Sequence, residues 1–262
     1  MKITVLTSNK NRHNYLVNLL SKCCDELFVI QECATIFPGE IPGHYEVSNT
    51  MKNYFQKVND AQHILFGNSF INSQDNNINI LPMLMGDLNQ CSLNNMSNFL
   101  ESDIYIVFGS SYIKGDLINF LVEKKAINIH MGVSPYYRGT DCNFWALYDN
   151  NPHLVGATIH LLSKGLDSGP MLYHAMSNLK TNPFIYTMST VKAAFHSLAE
   201  RIKNKTIFEI EPTIQDKSTE IRYSRKIEFN SDVVEEYFNL DIDLDSKSFN
   251  NKYLKAPFFL NE

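Results

Sequence analysis

The sequence predicts an α/β protein, a mostly parallel twisted sheet flanked by helices, with a small C-terminal extension. Two observations carry this. Residues 3–30 and 103–130 each read as a strand, a helix and a second strand, and such β-α-β units imply parallel strands joined by right-handed crossovers. The chain of 262 residues, 44% of them hydrophobic, is long enough for one large α/β domain with an appendage and rich enough in apolar residues for an ordinary packed core.

In chain order, Ile3-Thr4-Val5-Leu6-Thr7 is a β-branched run. The polar loop Ser8 to Arg12 follows, then a helix to about Cys23 with Tyr15, Leu16, Leu19 and Leu20 on one face. A second strand runs from Glu26 to Ile30. The Pro38-Gly39 and Pro42-Gly43 pairs mark a surface loop over Ala34 to Thr50, and Met51 to Leu65 reads as an amphipathic helix. Asn and Ser between Gly67 and Asn77 give a loop before a short strand, Ile78 to Leu81, and a third helix is expected over Leu93 to Glu101. Asp103 to Ser110 is a strongly apolar strand ending in small residues, and a helix over Asp116 to Lys125 returns the chain to a strand opening at Ala126. A strand over Pro170 to Met176 precedes a long helix, Pro183 to Lys203, whose apolar positions recur with a period of 3.6. From Thr206 the pattern breaks into short mixed segments, so the domain boundary is placed near residue 205.

Composition narrows the function. The formal charge of −5 is spread along the chain without basic runs, which argues against a nucleic-acid partner. The five cysteines show no C-x-x-C spacing and no signal peptide is visible, so a reduced cytoplasm is expected. No apolar run approaches the roughly 20 residues of a membrane span. The glycine-rich phosphate fingerprints are missing after the first strand, and no metal is expected, because the histidines and cysteines lack ligand spacing.

The informative stretch runs from Ala126 to Asp167. Asn128 and His130 stand two apart in a strand, so both side chains leave the same face and pair a hydrogen-bond donor with a titratable base. A turn at Ser134-Pro135, a short helix with Trp145 and a strand through Thr158 lead to Asp167, in a loop tightened by Gly165 and Gly169. Taken singly these residues have ordinary readings: a capping amide, a satisfied core histidine, a turn-forming acid. His63, His160 and His174 are read as structural, Phe144, Trp145 and Leu147 as core, and Cys142 as an ordinary thiol.

As a set, Asn128-Ile-His130-x-x-x-Ser134-Pro135, Arg138-Gly139, Gly156-Ala-Thr158-Ile-His160 and Asp167-Ser-Gly169-Pro170 resemble the N10-formyltetrahydrofolate-dependent formyltransferases. That family includes methionyl-tRNA, glycinamide-ribonucleotide and nucleotide-sugar N-formyltransferases. The resemblance implies a Rossmann-type catalytic domain, here residues 1–205, with 206–262 as the extension. It implies N10-formyltetrahydrofolate as formyl donor and Asn128, His130 and Asp167 as the catalytic trio. Phe108, Gly109, Ser110, Leu162, Ser163 and Leu166 are expected to line the donor's slot. So are Gly132, Val133, Ser134 and Pro135, which stand where relatives have Ser-Leu-Leu-Pro. Formyl transfer to an amine passes through a tetrahedral oxyanion, which needs a preorganised donor, while the amine must lose a proton. Asn128 suits the first role and His130 the second, with Asp167 stabilising the imidazolium and relaying a proton to the departing folate nitrogen.

The acceptor expected is a nucleotide-linked aminosugar, GDP- or dTDP-linked, of the kind used for surface polysaccharide such as lipopolysaccharide O-antigen. The tRNA-specific relatives carry a further basic C-terminal domain that the short acidic tail does not supply, and the tail is read as an acceptor pocket or a homodimer contact. Lys10 and Arg12, at a helix N-terminus, are expected to hold the acceptor's phosphate, and Tyr136 and Arg138 to hold the sugar nucleotide. The alternatives are another amine, such as methionyl-tRNA, glycinamide ribonucleotide or a siderophore amine, or a folate- or nucleotide-binding module without turnover.

Overall fold

A computed structural model describes residues 1–33, 45, 47–72, 74–242, 244 and 251–260. The N-terminal run forms β1 (Lys2–Ser8), buried throughout after Lys2, as a central strand covered on both faces must be. α1 (Asn11–Leu20) turns Leu16, Val17 and Leu20 inward and returns the chain to β2 (Glu26–Cys33), parallel to β1. The Ser48 hydroxyl accepts from the Met51 amide and so starts α2 (Asn49–Phe66). Most of the loop expected over 34–50, with its two Pro-Gly pairs, lies outside the described residues.

β3 (Ile78–Leu84) runs three residues past the expected end, through Pro82. Among the described residues it pairs only with β2, at the sheet edge, so the proline's missing N–H faces no described partner strand. The helix expected over 93–101 is instead a 3-10 segment, Asn94–Phe99. Its three asparagines and a serine compete for the backbone, and only Met96 is buried to hold it, so no full α-helix forms.

β4 (Ile104–Phe108), α3 (Gly115–Glu123) and β5 (Ile127–His130) make the second parallel unit. Beyond it come β6 (Tyr137–Gly139), α4 (Cys142–Tyr148), β7 (Ala157–Leu161), β8 (Met171–Ser177) and α5 (Pro183–Lys203). The chain after residue 205 adds β9 (Arg222–Ser224), α6 (Ser231–Asn239) and β10 (Phe258–Leu260). Among the described residues eight strands form one sheet in the order β10-β8-β7-β5-β4-β1-β2-β3, parallel except where β7 runs against β5 and β8. The strand order reverses between β1 and β4, which is where an open α/β sheet leaves a crevice beyond its carboxyl ends.

The residues after 205 are stitched into this body. β9 pairs with β6, and there Gly139 is required: at φ +94° an added Cβ would lie 2.0 Å from the Ser224 carbonyl oxygen. Arg222 grips Asp149 through Nε (2.9 Å) and Nη2 (2.6 Å) while its guanidinium lies 4.4 Å from the Trp145 ring. Phe229 and Tyr237 complete an aromatic core with Tyr54, Phe144 and Trp145, and Phe144 and Leu147 are buried as core, as expected. Among the described residues no helix is long and apolar enough to cross a membrane.

Because Phe229 is 3% exposed and its ring lies 4.7 Å from Phe144, Phe229→Ala is expected to cost about 3–5 kcal/mol. Urea unfolding should shift as one transition. A separate early transition for the residues after 205 would show that they fold on their own.

Candidate active site

A cleft of about 550 Å³ opens at the carboxyl ends of β1, β4 and β5. One wall is the segment after β4, from Phe108 to Ile113, facing Leu162, Ser163 and Leu166. The other is polar and aromatic, with Lys10, Arg12, Tyr45, Phe55, Asp141 and Phe144. Asn128, His130 and Asp167 stand together between them.

The sheet fixes this convergence. Period-two geometry sends Asn128 and His130 off one face of β5, and the antiparallel register places His160 of β7 directly opposite Asn128. Asn128 Nδ2 lies 3.0 Å from His160 Nε2 and 3.4 Å from Asp167 Oδ1. His160 Nδ1 lies 2.8 Å from the Leu161 carbonyl, an acceptor, so Nδ1 carries the proton and Nε2 accepts from the asparagine amide. His130 Nδ1 lies 3.4 Å from Asp167 Oδ2, and its Nε2 lies 3.3 Å from the Tyr137 carbonyl oxygen. Both ring nitrogens thus face acceptors, the surroundings of an imidazolium.

The electrostatics agree. Burial pushes the His130 pKa down, but the Asp167 carboxylate, helped by the Cys142 thiol, outweighs burial and holds it well above the usual histidine value. Burial likewise pushes the Asp167 carboxyl up, and the charge and hydrogen bond of His130 overturn this and hold it below the usual range. Asp167 is kept in a left-handed conformation (φ 45°) by its neighbours: Arg138 Nη2 donates to the Leu166 carbonyl (3.2 Å), and Gln215 Nε2 donates to the carbonyls of Asp167 (2.9 Å) and Gly169 (2.8 Å).

Of the residues expected from the sequence, Lys10, Arg12, Phe108, Gly109, Ser110, Asn128, His130, Leu162, Ser163, Leu166 and Asp167 all line the cleft. Gly132, Val133, Ser134, Pro135, Tyr136 and Arg138 do not. The turn after His130 is drawn inward, because the Ser134 amide donates to Thr158 Oγ1 (2.8 Å) and its carbonyl accepts from His174 Nε2 (2.8 Å). Gly132 backs His130 so closely that an added Cβ would lie 2.7 Å from its Nε2. Tyr136 stacks edge-on against Tyr253, and Arg138 is buried in an ion pair with Glu220 (2.8 Å) behind the Asp167 loop.

Three further groups, His13, Tyr45 and Asp141, belong to the cleft. His13 is buried against Gly109, where φ is +67° and a Cβ would lie 2.4 Å from its Nε2; burial, then Arg12 and Lys10, push its pKa well down. Asp141, left-handed at φ 56°, leaves the start of α4 uncapped and instead accepts the Tyr45 hydroxyl at 2.9 and 3.2 Å. Burial raises the Asp141 carboxyl. In the sequence each is a lone polar residue with no spacing to mark it; only the Arg12-His13 pair just after β1 was a usable signal.

Comparison with known proteins bears on this geometry. Residues 96–207, which span β4 to α5 and contain Asn128, His130 and Asp167, match the formyl transferase family. Methionyl-tRNA formyltransferase of Thermosynechococcus vestitus is 37% identical over 73 residues, 28% of this chain and 22% of that protein. The chain spans well under half the length of the curated relatives it matches. A sugar N-formyltransferase from Shewanella sp FDAARGOS_354 superposes with a TM-score of 0.53 at 14% identity, covering 87% of this chain and 78% of that one. An N-formyltransferase from Helicobacter canadensis, solved with folinic acid and dTDP-3-aminofucose, gives 0.52 at 14% identity over 88% and 73%. At these identities the structural likeness is one of fold.

The His130 electrostatics yield a measurable sign. In Asp167→Asn the carboxylate that outweighs burial is lost and only the Cys142 thiol still opposes desolvation, so the His130 pKa should fall from its raised position. Ring ¹⁵N shifts followed against pH check this. A ring still charged at pH 8 in that variant would show that Asp167 is not the cause.

Proposed function

We propose, from the premise that the chain carries a formyl transferase domain over residues 96–207, that it moves a formyl group from N10-formyltetrahydrofolate to the primary amine of a nucleotide-linked aminosugar. The observation that carries this reading is the convergence of Asn128, His130 and Asp167 in one cleft, between a slot walled by backbone and a pocket that holds cations.

Attack of the amine forms the new C–N bond and places negative charge on the formyl oxygen. One N–H of Asn128 is committed to His160, and the other, only loosely held by Asp167 at 3.4 Å, turns to that oxygen. His130, already an imidazolium, gives its Nε2 proton to the folate nitrogen as the old C–N bond breaks; its 3.3 Å bond to the Tyr137 carbonyl is long enough to exchange. The proton lost by the amine returns to His130; Asp167, expected from the sequence to relay a proton, is held too acidic by His130 to do so and serves as counter-ion throughout. His130 is thus first donor and then acceptor, and one proton leaves the amine for each that reaches the folate.

The acceptor wall supports a nucleotide-linked substrate. Arg12 donates to Gln62 Oε1 (2.8 Å) and meets no carboxylate among the described residues; burial lowers its pKa to about 10, so it stays charged and suits an anion. Lys10 stands beside it at the N-terminus of α1, where helix N–H groups also favour a phosphate. Tyr45 and Phe55 add aromatic lining that suits a base, and the volume is that of a small-molecule site. The product would serve surface-polysaccharide synthesis. The second reading, methionyl-tRNA, is favoured by the names of the curated relatives, but tRNA binding draws on a broad basic surface, and this chain carries a charge of −5.

Asn128→Ala is expected to lower kcat about 10²- to 10³-fold, the cost of one oxyanion donor, and His130→Ala to abolish most turnover, both with donor binding kept. Near-normal kcat in either would overturn the roles given. Lys10→Glu combined with Arg12→Glu should raise KM for a GDP- or dTDP-linked aminosugar without moving KM for the donor. Formylation of methionyl-tRNA or glycinamide ribonucleotide, with every sugar refused, would overturn the acceptor class.

A further inference from the structure

Glu32, next to last in β2, is a carboxylate that is 1% exposed and has no cationic partner among the described residues. A bare carboxylate in such a place is costly unless hydrogen bonds offset the lost water. Three donors supply them, and all come from loops that follow other strands. Oε1 accepts from the Gly86 amide (2.9 Å), after β3, and from the Ser111 hydroxyl (2.8 Å), after β4. Oε2 accepts from the Ser111 amide at 2.5 Å. β1 lies between β2 and β4, so the side chain spans the end of β1 to reach Ser111.

The segment it grips is the donor wall of the cleft, Gly109 to Ile113. At one end of that segment Gly109 lies against the buried His13 ring, too close for any side chain. Two residues on, Ser111 is bound at both its amide and its hydroxyl by Glu32. Ser110 therefore stands between two fixed points. A surface that reads a flat heterocycle through backbone groups works only if those groups are held to within roughly 0.5 Å.

We propose that Glu32 is a positioning residue for the formyl donor: it holds Gly109 to Ile113 in the shape that receives the donor's planar head and takes no part in acceptor binding. The inference rests on the reading of this cleft as a folate-dependent formyl-transfer site. Glu32 touches no reacting atom, so a positioning role must appear in one substrate and not the other, whereas a merely structural role would move both.

The test is calorimetric titration of the full chain with folinic acid, together with steady-state KM for donor and acceptor, in wild type, Glu32→Ala and Glu32→Gln. Releasing the loop is expected to weaken folinic acid and raise donor KM by roughly 10- to 100-fold in Glu32→Ala, the scale set by displacing a positioned group. Acceptor KM should stay within about twofold. Glu32→Gln keeps the volume but turns an NH₂ toward a donor, and should show the same split more weakly; it carries the test if the alanine variant does not fold. Unchanged folinic acid affinity in a folded variant, or donor and acceptor KM rising together, would overturn the role of Glu32 while leaving the formyl-transfer reading intact. Failure of wild type to bind folinic acid would overturn both.

Discussion

The ion pair of His130 and Asp167 is the constraint around which the rest is built. Its side chains are 6% and 13% exposed, so each charge has surrendered most of its water and is tolerable only while the other is present. The separation of 3.4 Å leaves the attraction strong but incomplete, and the remaining acceptor capacity of the carboxylate is met by the Asn128 amide. A carboxylate held in this way cannot wander. The backbone that carries it takes a left-handed turn, and the carbonyls on both sides are tied by Arg138 and Gln215.

That requirement explains why an antiparallel strand interrupts a parallel sheet at this point. β5 carries Asn128 and His130 on one face, and an adjacent strand must offer a polar partner to the asparagine at the same level. The register of β7 does so, setting His160 opposite Asn128 while its Nδ1 proton is spent on the Leu161 carbonyl. His160 therefore works through another residue: it fixes which end of the Asn128 amide faces the cleft. Arg138 acts in the same indirect way, pairing with Glu220 and reaching the loop just before Asp167. Glu220 and Gln215 both lie beyond residue 205, so that segment braces the acid as well as closing the aromatic core.

Much of this was legible in the sequence. The strands and long helices were, because apolar runs and 3.6-residue periodicity are local signals, and so was the pairing of Asn128 with His130, because two residues apart in a strand means one face, whereas Asp167 joined them only through the family resemblance. The misses have physical causes. The segment 94–99 had helical length but asparagine and serine where helix formers were needed. β6, β9 and β10 are three residues each, too short for any period to show, and exist only through pairing across the fold. The turn Gly132 to Pro135 was assigned to the donor slot by motif alone, yet its direction depends on Thr158 and His174, far along the chain. Glu32 and Asp141 were silent for the same reason: each has its meaning from groups 54 to 79 and 96 residues away.

The two walls of the cleft are held by different means, and this bears on how acceptor choice and chemistry can be separated. The wall of Gly109 to Ile113, proposed above for the formyl donor, is fixed through backbone, by the Ser111 amide on Glu32 and the close seat of Gly109 on His13, so a change of side chain there disturbs little unless it strikes those anchors. The opposite wall, proposed above for the acceptor, is made of side chains from a loop, a helix start and a helix face: Lys10, Arg12, Tyr45, Phe55 and Asp141. Few of their partners are shared with the trio, since Arg12 leans on Gln62 and Asp141 on Tyr45. Substitutions that lie apart and share no partners act nearly independently. On the function proposed, that wall can therefore be altered to fit another amine while Asn128, His130 and Asp167, set by strand register and by a braced loop, keep their geometry.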